Sequence, residues 1–124
     1  MNGERNILRD KSFDFAVRII NLCLFLNKER KEFVLSKQLL RSGTAIGALI
    51  RESKNAESNA DFIHKLAIAQ KECDETLYWL ELMAVTKLIT SSEYDSISSD
   101  ATGLLKMLRS SILTVRKNLK THSS

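Results

Sequence analysis

Few side chains in this sequence have the types and spacing for bond chemistry. The two histidines are His64, early in a helical pattern, and His122, close to the end of the chain. His64 follows Asp61 at a three-residue offset, which is the spacing of a Glu-x-x-His metal ligand pair in di-iron bundles. Such a site needs a second copy of the pair and carboxylates from two more helices, and only one pair is present, so no metal site is expected. Glu72, Asp74, Glu75 and Glu81 form a carboxylate cluster, and paired carboxylates can move protons. With no nearby histidine, glycine-rich phosphate loop or triad pattern, the simpler reading is a solvated or salt-bridging face. Cys23 and Cys73 lie fifty residues apart in apolar stripes. They give neither a disulfide framework nor zinc spacing, and are expected as inert core thiols in a reducing, cytoplasmic setting. The residues therefore predict no enzyme, no cofactor and no small-molecule substrate.

The cations carry more information. Arg30, Lys37, Arg41 and Arg51 share a narrow arc when placed at 100° per residue, opposite a row of leucines. Lys106, Arg109, Arg116, Lys117 and Lys120 span about 100° of arc on a later segment. Stripes of this kind can neutralise phosphates along a nucleic-acid backbone. They also arise as solvated faces, or as surfaces that pair with acidic neighbours. Charge along the chain is blocked: residues 1–54 carry eleven basic and six acidic side chains, 55–100 three and nine, and 101–124 five and none. A basic–acidic–basic chain suits a polyanion, and equally suits copies of itself.

The elements that must position these side chains are helices. The 124 residues contain no proline and four glycines, 44% are apolar and 27% charged. That composition is globular, long enough for one core, and excludes a turn-rich β architecture. Four segments with helical periodicity are predicted: about 6–26, 32–53, 58–88, and a fourth opening after Thr90-Ser-Ser-Glu93. Ser58 with Asp61, and Thr90 with Glu93, have capping-box spacing. Short connections make consecutive helices antiparallel, so the expectation is a single up-down-up-down four-helix bundle over residues 1–124, with its core in about 6–119. No stretch approaches the roughly 20 apolar residues of a membrane span, and the amino-terminal residues lead into no secretory-type apolar run.

Two helices have an apolar face to spare. On the first, Phe13, Ala16, Val17, Ile20 and Leu24 make one stripe, expected inward, while Phe15, Ile19, Leu22 and Leu26 make a second, expected at a contact with another subunit. The third repeats the pattern, with Tyr78, Trp79 and Leu82 as contact residues. Gly43 and Gly47, four apart in the second helix, each cost about 1 kcal/mol against alanine there, which predicts close approach of another helix.

The segment Gln38-Leu-Leu-Arg-Ser-Gly-Thr-Ala-Ile-Gly-Ala-Leu-Ile-Arg-Glu52, with Asp61-Phe-Ile-His-Lys-Leu-Ala-Ile-Ala69 and Glu75-Thr-Leu-Tyr-Trp-Leu-Glu-Leu82, resembles a bacterial four-helix-bundle family. It includes proteins encoded in intervening sequences of 23S ribosomal RNA genes, also labelled S23 ribosomal proteins. The accessory variability protein of diversity-generating retroelements is similar. The likeness runs from about Phe13 to Leu119. It implies a homopentameric ring and, for the retroelement relatives, contact with RNA and a reverse transcriptase through a basic surface. The family arginine opening the second-helix motif matches Arg41, and the glutamate near its end matches Glu52. Where the family often has Phe-Pro between the first two helices this chain has Leu26-Asn27, and where it often has Glu-Gly this chain has Glu52-Ser53. The leading expectation is a non-enzymatic oligomer that contacts structured RNA or a ribonucleoprotein. The rival is a scaffolding oligomer whose basic stripes pair with acidic neighbours.

Overall fold

The computed structural model describes the backbone of residues 2–123 and the side chains of residues 7–120. Four helices follow one another: α1 (Asn2–Glu29), α2 (Val34–Ser53), α3 (Asn59–Val85) and α4 (Ser91–Ser123). Each packs on the next, and α4 returns to touch α1, while among the described residues the diagonal pairs α1/α3 and α2/α4 make no backbone approach. This is an antiparallel four-helix bundle. No described helix is long and apolar enough to cross a membrane.

Helix ends are set by capping. Thr90 and Glu93 form a reciprocal box: Thr90 Oγ1 accepts from the Glu93 amide at 3.1 Å, and the Glu93 carboxylate accepts from the Thr90 amide at 2.9 Å. At α3, Ser58 Oγ accepts from the Asp61 amide at 3.0 Å, while the Asp61 carboxylate reaches one residue further back, to Glu57. The start of α2 is held by Glu32, whose carboxylate accepts from the amides of Val34, Leu35 and Ser36 at 2.8–3.1 Å. Burial works against its charge, yet these bonds keep the Glu32 carboxyl below the usual range.

The core runs through all four helices and includes Ile19, Leu26, Leu39, Ile46, Leu66, Leu80, Met83 and Leu108, each essentially without solvent contact. Its polar residues are satisfied. Thr76 and Ser42 hydroxyls meet at 2.9 Å across α2 and α3, and the Cys23 and Cys73 thiols point at the carbonyls of Ser36 and Ala101. Along the α1–α4 side the helices part over a cleft of about 570 Å³. Arg18 crosses there, donating to Asp100 and to Ser96 Oγ, both at 2.7 Å.

The two faces of α1 are the reverse of the expectation. Phe15, Ile19 and Leu26 are buried inside the subunit, at 2%, 0% and 0% exposure, and so are not an intersubunit surface. Leu22 is half-buried against the same core. Phe13, Val17, Ile20 and Leu24 face outward instead, Phe13 and Leu24 at 57% and 60% exposure. Both stripes are apolar, so periodicity alone does not rank them. Their companions decide it. Ile19 drops into the space above Gly43, and the small or polar Ser12 and Cys23 share its face and meet α2. On α3, Tyr78 is exposed, while Trp79 packs partly against the core.

Candidate nucleic-acid interface

The cations expected to form one basic set fall into three settings. Arg41 is already paired within its own subunit. Its guanidinium donates to Glu72 at 3.0 Å and to Glu75, two carboxylates one helical turn apart on α3. The bond to Glu75 and the charge of Glu72 raise the Arg41 pKa further above its ordinary value. Trp79 Nε1 also donates to Glu75, at 3.3 Å. Arg41 therefore ties α2 to α3, and much of its charge is spent there. Of the settings left open for this position, nucleic-acid contact, solvation or pairing with a neighbouring copy, none includes this pairing within the subunit.

Lys37 and Arg51 are exposed on α2 and rim the apolar flank that α1 and α2 make together. Phe13, Val17, Ile20 and Leu24 of α1 continue across to Leu40, Thr44 and Ala48 of α2. Arg51 lines one end of this flank, a groove of about 420 Å³ shared with Arg9, Phe13, Thr44, Gly47 and Asn55. Beneath it lie the glycines. A Cβ on Gly43 would stand 2.9 Å from both Cγ atoms of Ile19, and one on Gly47 would stand 3.4 Å from the Ser12 carbonyl oxygen. Arg30 belongs to the α1–α2 turn, with its guanidinium carbon 5.9 Å from the centre of the Phe25 ring.

The α4 cations form the third setting. Capping and Arg18 fix the first half of the helix, and residues 101–120 then run without an acidic side chain. Lys106, Arg109 and Lys117 surround a shallow hollow of about 370 Å³ with Ser110, Leu113 and Thr114, and Arg116 and Lys120 stand exposed beside it. Lys106, Arg109 and Arg116 make no ion pair within 4.0 Å among the described residues. Burial, then Asp74, pushes the Cys73 thiol up to about 12, with Arg109 partly opposing. The hollow is lined by α4 residues alone and shares none with the α1–α2 groove. Since α2 and α4 are diagonal, their stripes point in different directions and make no single surface on one subunit.

Residues that could carry bond chemistry are placed elsewhere. Cys23 is buried, and burial with the Glu32 charge pushes its thiol up to about 11. His64 is exposed, Asp61 is engaged in capping, and His122 lies outside the described side chains. No group of three metal-ligating side chains occurs among the described residues. Missing from the sequence reading were the α1–α4 clasp at Arg18 and the Glu32 cap. Glu32, an acidic residue at the start of the second helical pattern, was the available signal for the second.

The sequence matches the 23S rRNA-intervening sequence protein family over residues 4–110. Among solved structures it is similar to a protein of unknown function from the S23 ribosomal protein family of Bacteroides thetaiotaomicron. Identity is 58%, with 88% of this chain and 97% of that one covered, at a TM-score of 0.87. No curated protein matches it.

Proposed function

This chain belongs to the 23S rRNA-intervening sequence protein family, and from that membership we propose that it is a non-catalytic, self-associating bundle that contacts structured RNA in the cytoplasm. The α4 stripe carries the reading: five cations within fifteen residues, no acid between 101 and 120, and a position away from the apolar flank. RNA phosphates attract such a surface whatever the sequence, and the affinity falls steeply with salt. The α1–α2 flank is the subunit contact in this reading, and pentamer is the stoichiometry that the resemblance implies. A pentameric ring is heterologous, so the flank of one copy meets a different surface of the next, and this reading requires that surface to lie outside the α4 stripe.

The test is filter binding to a structured ribosomal RNA fragment at two salt concentrations. Arg109→Glu with Arg116→Glu should weaken binding severely and make its salt dependence shallower, by about one unit of logarithmic slope per cation lost. Equal binding by the double variant, or no binding by the wild type at low salt, rejects the RNA reading. A scaffold without RNA, its basic stripes paired with acidic neighbours, is the second reading; Arg41, paired with Glu72 and Glu75 of its own subunit, is available to neither.

A further inference from the structure

We propose that the turn between α1 and α2 is a stacking platform for unpaired nucleotides, so that RNA engages this end of the bundle as a single strand. This rests on the RNA reading above and adds to it a second surface and a class of RNA. Two phenyl rings stand out at the turn: Phe25 is 39% exposed and Phe33 58%, and neither joins the core. Phe33 occupies the first cap position of α2, yet its side chain does nothing for the cap, which Glu32 supplies. The Arg30 guanidinium lies over the Phe25 ring, and Lys28, Lys31 and Lys37 are exposed in the same stretch of chain. None of these four cations has an ion pair within 4.0 Å among the described residues.

The turn is net positive, with Lys28, Arg30, Lys31 and Lys37 against Glu29 and Glu32. Of the nearby carboxylates, Glu32 is committed to three α2 amides, and Glu93, which Arg30 influences from across the α3–α4 turn, is committed to Thr90. Glu29 is the remaining acid of the turn. Exposed ring faces among uncommitted cations match what a single strand offers: bases with open π-faces, and phosphates between them. A duplex hides those base faces. A second copy docking here through the same patch would set two net-positive turns against each other.

Fluorescence anisotropy with labelled RNA tests this, using a single strand of about 12 nucleotides and a duplex of equal length. Wild type should prefer the single strand. Phe33→Ala should weaken single-strand binding about tenfold, leave duplex binding and the melting temperature unchanged, and be rescued by Phe33→Tyr. Arg109→Glu should weaken both RNAs. If Phe33→Ala binds the single strand as wild type does, or loses both RNAs equally, the platform is rejected while the RNA reading stands. A change in subunit number without any change in RNA affinity would reassign the patch to a contact between copies and overturn the proposal. Failure of wild type to bind either RNA rejects the RNA reading and this one with it.

Discussion

Gly43 and Gly47 look alike in sequence, one helical turn apart, but their surroundings differ. A methyl group on Gly43 would press on both branches of Ile19, which is fully buried and fixed at its β-carbon, so neither branch can swing aside. Gly43→Ala is expected to destabilise by about 1–3 kcal/mol from overpacking, partly offset by better helix propensity. A methyl group on Gly47 would meet the Ser12 carbonyl at ordinary contact distance. There the propensity gain of up to about 1 kcal/mol prevails, and Gly47→Ala should melt at or above the wild-type temperature. Thermal unfolding of the two single variants, side by side, checks both. Equal losses in both would mean that the α1–α2 approach is uniformly tight. That some close approach exists was legible from two glycines inside a helix. Which one is clamped was not, because it depends on a residue twenty-four positions away.

At the scale of the helix, α1 shows where periodicity stops informing. It carries two apolar stripes, and 3.6-residue spacing describes each equally well. What separates them is the partner: Cys23 reaches the Ser36 carbonyl, and Ile19 fills the notch at Gly43. In α2 the leucine and isoleucine row gave the inward face directly, because its opposite side is polar. Leu39, Ile46 and Ile50 are buried on the side opposite Lys37 and Arg51. The capping boxes at Ser58 and Thr90 were likewise local enough to be read. Arg41 was not, since α2 alone does not show that Glu72 and Glu75 of α3 stand opposite it. Neighbouring isoleucines give the sharpest check of the α1 faces. Ile19→Asp buries an unpaired carboxylate, or forces its protonation, and should unfold the subunit or lower its melting temperature severely. Ile20→Asp, one residue on, should leave the fold intact. Circular dichroism melts in which both variants behave alike would overturn the orientation of α1.

The whole molecule divides its surface. One flank, α1 with α2, is apolar and rimmed by Lys37 and Arg51, while the α4 cations surround a separate hollow that shares no residue with it. Exposed apolar patches mark partner surfaces, and the subunit contact proposed above uses this flank and not the α4 stripe. Assembly and RNA binding should then be separable by mutation. Val17→Glu with Leu24→Glu introduces charge on the apolar flank, away from the core, and should release subunits in light scattering while circular dichroism stays helical. Arg109→Glu with Arg116→Glu should leave the subunit number unchanged. Loss of assembly should also weaken RNA binding, even with every α4 cation in place, because linked copies hold one RNA at several points and isolated copies do not. The expected signature is a released subunit whose affinity falls by an order of magnitude or more for a long RNA and hardly at all for one too short to span two copies. If flank variants stay assembled, the contact lies elsewhere. If they dissociate and bind long RNA as tightly as before, each subunit binds alone and the stripes do not act together.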